Sequence, residues 1–220
     1  MNITPAIFAS SVEEINNKLE IISNSVHRVQ IDLCDGKFGL ERSWLPGDNL
    51  ETSFPDEYAY EYDIMANDWK ILFQQAINLG ATRIVIHTDT FRSGDFEFLE
   101  EAMTGKNNNI GIGVSVSNDI PVEKHIENIQ KIQKICKHVF IQVMGIVNIG
   151  ASGQFFDTNC IARVKILRAC FPGVSIQVDG SMNKDTIPEI SEAGADTVVV
   201  GSYFFSSEDI GKRLAELENI

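Results

Sequence analysis

The chain has 220 residues, with 31 acidic against 18 basic side chains, a net charge of −13, and 44% hydrophobic and 22% charged residues. That is enough apolar material for a packed core, which excludes a disordered or fibrous chain, and the length fits one domain or two. The charge argues against a non-specific binder of nucleic acid or anionic membranes, so an anionic substrate needs a local positive field.

Read in chain order, short β-branched runs alternate with longer helical patterns. Strands are expected at 3–8, 28–33, 58–65, 83–87, 110–116, 139–143, 175–178 and 197–200. Several are nearly continuous apolar runs, as in strands buried on both faces. Helices are expected at 12–23, 68–79, 96–103, 122–136, 159–169, 184–193 and 208–217. The second carries Trp69, Leu72, Phe73, Ala76 and Ile77 at helical spacing, and Gly80 follows it as a C-terminal glycine. Gly194 repeats that ending, and Asp119 and Pro121 precede the helix at 122. Residues 36–57 contain Pro46, Gly47 and Pro55 and read as a long loop with at most one helical turn.

Eight strands with interleaved helices predict an α/β fold with a parallel sheet, best fitted by a single compact (β/α)8 TIM barrel over 1–220. A doubly wound open sheet is the alternative. No segment approaches the roughly 18 apolar residues of a membrane helix. Residues 1–10 lack a basic flank leading into an apolar core, so cytoplasmic residence is expected. Cys34, Cys136, Cys160 and Cys170 form no Cys-x-x-Cys pair and read as reduced thiols.

In such a barrel the site lies at the C-terminal strand ends. Alternation puts Gln30 and Asp32 on one face of the second strand. Asp179 ends the seventh. Two carboxylates facing each other across a substrate suit removal of a proton on one face and its return on the other. Asp32 and Asp35 could equally cap a loop beside Gly36, and Asp179-Gly180 could be a simple turn. Gly153, Gly180, Gly201 and Ser202 would be neighbours if strands six to eight are adjacent, and backbone N–H groups of such loops hold phosphate. That reading reconciles a phosphorylated ligand with an acidic chain.

At these residues the chain resembles the ribulose-phosphate 3-epimerase family. Pro5-Ala6-Ile7-Phe8 resembles its opening Pro-Ser-Ile-Leu, and Asp32-Leu33-Cys34-Asp35-Gly36-Lys37-Phe38 its Asp-Val-Met-Asp-Gly-His-Phe. Gly80-Ala81 precedes a strand ending in His87, as in the family. Met144, then Gly153-Gln154 and Phe156, resembles the family's Met … Gly-Phe-Gly-Gly-Gln-x-Phe loop. Val178-Asp179-Gly180 and Val200-Gly201-Ser202 resemble Val-Asp-Gly-Gly and Ala-Gly-Ser.

The resemblance implies a TIM barrel of ribulose-phosphate-binding type that epimerises a ketose phosphate at C3 through an enediolate. Asp32 and Asp179 would be the acid/base pair and, with two histidines, the metal ligands. Here Gln30 and Asp63 stand at the histidine positions. Ser181 replaces the second glycine after Asp179 and joins the phosphate-binding set. Ala9 replaces a strand-end serine beside Ser10, and the loop at 148–152 is remodelled. An all-oxygen set of Gln30, Asp32, Asp63 and Asp179 favours Mg2+ or Mn2+ over Zn2+ or Fe2+, and three close carboxylates call for a cation. No organic cofactor is expected. The other reading is a non-catalytic or re-purposed phosphosugar-binding paralogue without the metal centre.

Ser10, Met65, His87 and Met144 complete the expected substrate pocket, although His87 also suits a rim position and the methionines suit core filling. Cys34, between two aspartates, is expected to be a poor nucleophile that packs. Trp44 covers the mouth or anchors its loop. Lys37 and Arg42 lie in that loop and could reach a phosphate, while His27, His125 and His138 are expected at the surface. The expected partners are a phosphorylated sugar and further copies of the chain, without nucleic acid or membrane.

Overall fold

In the computed structural model, residues 1–22, 25–48, 52–151 and 153–220 are described. Ser23, at the expected end of the first helix, and Ser152, in the expected sixth loop, lie outside them. The strands are β1 (Asn2–Ile7), β2 (Arg28–Cys34), β3 (Ala59–Met65), β4 (Arg83–His87), β5 (Gly111–Val116), β6 (Val139–Met144), β7 (Ile176–Asp179) and β8 (Thr197–Val200). The helices are α1 (Val12–Ile21), α2 (Trp69–Asn78), α3 (Asp95–Ala102), α4 (Val122–Ile135), α5 (Asn159–Cys170), α6 (Ile187–Ala193), α7 (Ser202–Phe205) and α8 (Ile210–Glu218).

The strands close into a barrel in the order β1 to β8, every pair parallel and β8 returning to β1. Closure follows from the strands being buried on both faces, with no edge left over. Outward residues such as Ile31, Leu33, Ile64, Ile84 and Ile86 are buried under the helices, against Phe73, Ile129 and Leu167. Register then fixes the site. Asp32 pairs with Asp63 across β2–β3, and Met144 with Asp179 across β6–β7.

Two helix boundaries differ from the expected ones for local reasons. The last long helix starts two residues later than expected, because the Asp209 carboxylate accepts from Lys212 N at 2.9 Å and caps it. Residues 183–186 form a turn instead of helix: the Asn183 side chain accepts from Asp185 N at 2.9 Å. The short α7 was not anticipated; four residues carry too little periodicity to read. Among the described residues no helix is long and apolar enough to cross a membrane.

β2 alone is followed directly by another strand, with no helical turn among the described residues. Its loop is held by polar bonds. Asp35 accepts from Lys37 N at 2.7 Å, Phe38 N at 2.9 Å and Asn67 N at 2.9 Å. Burial pushes this carboxyl up, but the three N–H groups outweigh it and hold it below its usual value. Trp44 is buried, donates its backbone N–H to Ala9 O at 2.7 Å and meets Phe54 edge-on, so it anchors the loop. Leu40 N and Glu41 N donate to Ile149 O and Gly150 O at 3.1 and 2.9 Å, laying this loop against the one after β6.

Candidate active site

A cavity of about 600 Å³ opens at the C-terminal strand ends. Asp32, Asp179, Met65 and Met144 line it, as do Gly153, Gly180, Ser181, Gly201 and Ser202. The candidate acid/base pair and the five candidate phosphate-binding residues therefore share one chamber. Gly180 has φ +110, and a Cβ there would press on Ile146 at 2.9 Å. Ser181 holds φ 57, a left-handed conformation uncommon for serine, and its hydroxyl donates to Gln154 O. The β7 and β6 loops are tied together at that point.

Below the cavity the carboxylates converge. The Gln30 amide donates to Asp32 Oδ1 and to Asp179 Oδ2, both at 2.9 Å. Asp63 is fully buried, with Oδ1 2.9 Å from His87 Nε2 and Oδ2 accepting from Gln142 Nε2 at 2.8 Å. Burial, then the Asp63 charge, pushes the Asp32 carboxyl up to about 7, against the opposing Gln30 hydrogen bond. Burial and the Asp32 and Asp63 charges raise Asp179 in the same way. Asp32 and Asp179 therefore both hold a proton more tightly than an exposed aspartate does.

The donor set suits a hard cation. One oxygen each of Asp32, Asp63 and Asp179 lie within 4.8 Å of one another. Gln30 Oε1 is buried without a hydrogen-bond partner, an unspent oxygen beside them. The set is entirely oxygen, so these residues can hold a divalent cation.

Other expected residues fall elsewhere. Ser10 does not line the cavity: it is exposed, and its hydroxyl donates to Glu14 Oε2 at 3.1 Å, because it sits in the capping turn of α1. His87 lies off the cavity, buried on Asp63 and edge-on to Phe38. Arg42 is paired with Asp48 at 2.6 Å, and Lys37 is exposed; neither lines the cavity. His125 was expected at the surface but is buried, its Nε2 3.5 Å from Ser117 Oγ, because α4 turns that position inward. Cys34 is buried against Met65 Sδ at 3.6 Å; burial and then Asp32 push its thiol far up, so it packs.

Two features had not been singled out. Lys18 of α1 lines the cavity beside Phe8 and Phe205 and brings a cation to it. Its spacing from Glu14 reads as a surface pair, which hid it. A second polar layer of Glu61, Arg83, Gln142 and Gln177 fills the barrel below the carboxylates. Inward alternation on β3, β4, β6 and β7 is the one sequence signal for it.

Known proteins share this fold and, over most of the chain, its sequence. Solved structures of 3-hexulose-6-phosphate synthase (TM-score 0.65, 18% identity, 100% and 99% of the two chains covered) and of KGPDC from Streptococcus mutans (0.69, 12%, 99% and 95%) share the fold. Ribulose-phosphate 3-epimerase of Eremothecium gossypii is 24% identical, covering 94% of this chain and 87% of its own. The cytoplasmic isoform from Oryza sativa subsp. japonica is 28% identical, with 96% and 88% covered. The model of the ribulose-phosphate 3 epimerase family matches residues 2–205, and the chain belongs to that family.

Proposed function

We propose that the protein epimerises C3 of a ketose phosphate, ribulose 5-phosphate or a relative, with Asp32 and Asp179 as the acid/base pair. The observation that carries this reading is the position of the two aspartates: they come from β2 and β7 and meet the same cavity as the glycine-lined loops. One carboxylate takes the C3 proton, leaving an enediolate across C2 and C3. The opposite carboxylic acid returns a proton to the other face. The raised affinity of both groups for a proton supports one being charged while the other is protonated.

Gly153, Gly180, Ser181, Gly201 and Ser202 would hold the phosphate, and Met65 and Met144 would wall the sugar. A divalent cation on Asp32, Asp63, Asp179 and Gln30 Oε1 would polarise the sugar oxygens and offset the enediolate charge, and the oxygen set favours Mg2+ or Mn2+ over Zn2+ or Fe2+. With no cation bound, the Gln30 amide instead bridges the two aspartates through its paired donors, and it would turn its Oε1 toward them to ligate a cation.

The test is proton NMR of metal-stripped protein with D-ribulose 5-phosphate in D2O, before and after adding Mg2+, Mn2+ or Zn2+. Deuterium entering C3 with Mg2+ or Mn2+ is the expected result. Absence of exchange with every metal would overturn the reading in favour of a phosphosugar-binding barrel without this activity.

A further inference from the structure

The polar layer under the site has a direction. Arginine can only donate, so Arg83 Nη2 donates to Gln177 Oε1, at 2.7 Å. That leaves the Gln177 amide to donate, and it does so to Gln142 Oε1 at 2.6 Å and to Glu61 Oε1 at 2.7 Å. Gln142 must then turn its own amide the other way. Its Nε2 lies 2.8 Å from Asp63 Oδ2 and 3.4 Å from Asp179 Oδ2. A carboxamide can normally be turned over at little cost; this pair is fixed because one end of the chain has no lone pair to offer.

Arg83 is itself held. Its guanidinium stacks on Phe140 at 3.5 Å from the ring centre, and its Nε is 2.7 Å from the fully buried Glu61 carboxylate. Burial lowers the guanidinium to about 10, so it remains a cation at neutral pH. Phe140 has room for this stack because Gly113 faces it: a Cβ on Gly113 would run into the Phe140 ring. Glu61, Gln142 and Gln177 are all fully buried, so the pattern is shut off from bulk solvent.

We infer that Gln142 is a positioning residue for Asp179 and Asp63, and that Arg83 acts through Gln177 to keep the Gln142 amide pointed at them. The inference rests on the proposed acid/base role of Asp179 for its kinetic consequence, but the wiring itself does not. With the donor in place Asp179 is fixed beneath the substrate. With Gln142 turned over, a carbonyl oxygen would face two carboxylates and push Asp179 out of line.

The experiment uses Gln142→Met and Gln177→Met, which keep the volume and remove the donors, with circular dichroism to confirm folding. The first readout is the side-chain amide resonance of Gln142 in a 15N–1H spectrum of the unliganded protein. It should shift in Asp179→Asn and again in Gln177→Met, which does not touch Asp179. An unmoved resonance in Gln177→Met overturns the wiring, whatever the activity. The second readout is kinetic. Gln142→Met should lower kcat by about tenfold or more while KM stays within about twofold, and Gln177→Met should do the same to a smaller degree. Wild-type kcat in both variants, or a loss confined to KM, overturns the positioning role. Failure of the wild type to exchange C3 protons with a shifted Gln142 resonance leaves the wiring standing and removes the proposed reaction instead.

Discussion

In the proposed reaction Asp179 is both a proton acceptor and a buried carboxylate among carboxylates, and the two demands pull stability and activity apart. Its ordinary surroundings would be water; here it has Gln30, Gln142 and two other carboxylates. Asp179→Asn keeps the shape and removes one charge. Proton exchange at C3 should fall by about 10²–10⁴-fold, the range of a lost general acid or base, with the circular dichroism unchanged. Unaltered exchange would refute the assignment. The same substitution should change the pH dependence of stability. Asp32 binds its proton more tightly folded, at about 7, than unfolded, near the ordinary 3.8. The stability linked to that proton is complete below about 4 and is lost as pH rises through 7. Metal-free wild type should therefore lose melting temperature as pH rises from about 4 to about 7. Asp179→Asn should flatten that slope, because burial and its charged neighbours raise the Asp179 carboxyl too, and its own linked proton is then gone.

At the scale of elements, the loops after β6 and β7 are one unit. Gly145 N donates to Asp179 O at 2.6 Å, and Gly145 O accepts from Asp157 N at 2.8 Å. A Cβ on Gly145 would run into the Gly180 carbonyl oxygen, which is backbone and has nowhere to go. Gly145→Ala should cost about 1–3 kcal/mol, several degrees of melting temperature, and most of the turnover, since Asp179 and Gly180 move together. Gly153→Ala is the control. Its φ of +70 brings strain, but nothing lies within 4 Å, so its loss of melting temperature should be smaller. Equal effects would mean that the close approach at Gly145 is not the constraint.

These elements also show what the sequence makes legible. The β-branched runs ending at Asp32, His87, Asp179 and Val200 mark strands, because burial on both faces leaves an apolar signature that needs no partner to interpret. Asp32, Asp179 and the glycines were legible for a related reason: strand ends are where a barrel must put its chemistry. Gln142, Gln177, Glu61 and Arg83 were not. Each is one polar letter inside an apolar run, and its meaning comes from register across four strands, which no local pattern encodes. His87 read as a pocket residue because its strand position is right. Its ring turns to Asp63 instead, a choice made by a charge on the neighbouring strand.

For the whole molecule, the question is how a chain of net charge −13 would bind the phosphorylated sugar proposed for it. The fold answers locally: glycine-rich turns bring backbone dipoles to one side of the cavity, and Lys18 adds a cation. Lys18 is not free, however. It bonds Glu14 Oε1 and Phe8 O, both at 2.8 Å, so a phosphate must compete with Glu14 for it. Two substitutions should then move affinity in opposite directions. Lys18→Met should weaken binding of D-ribose 5-phosphate by about tenfold, and Glu14→Gln should strengthen it. A ligand at 100 times its dissociation constant stabilises the folded state by about 2.7 kcal/mol, which is about 5–10 °C in a chain of this size. At that fixed ligand concentration Lys18→Met should lose roughly half of the shift and Glu14→Gln should gain. Both changes should shrink in high salt, where a partly exposed ammonium is screened. Thermal shift titrations of the three proteins measure this directly. If Lys18→Met keeps the full wild-type shift, the backbone loops alone hold the phosphate and the Lys18–Glu14 pair belongs to the surface of α1.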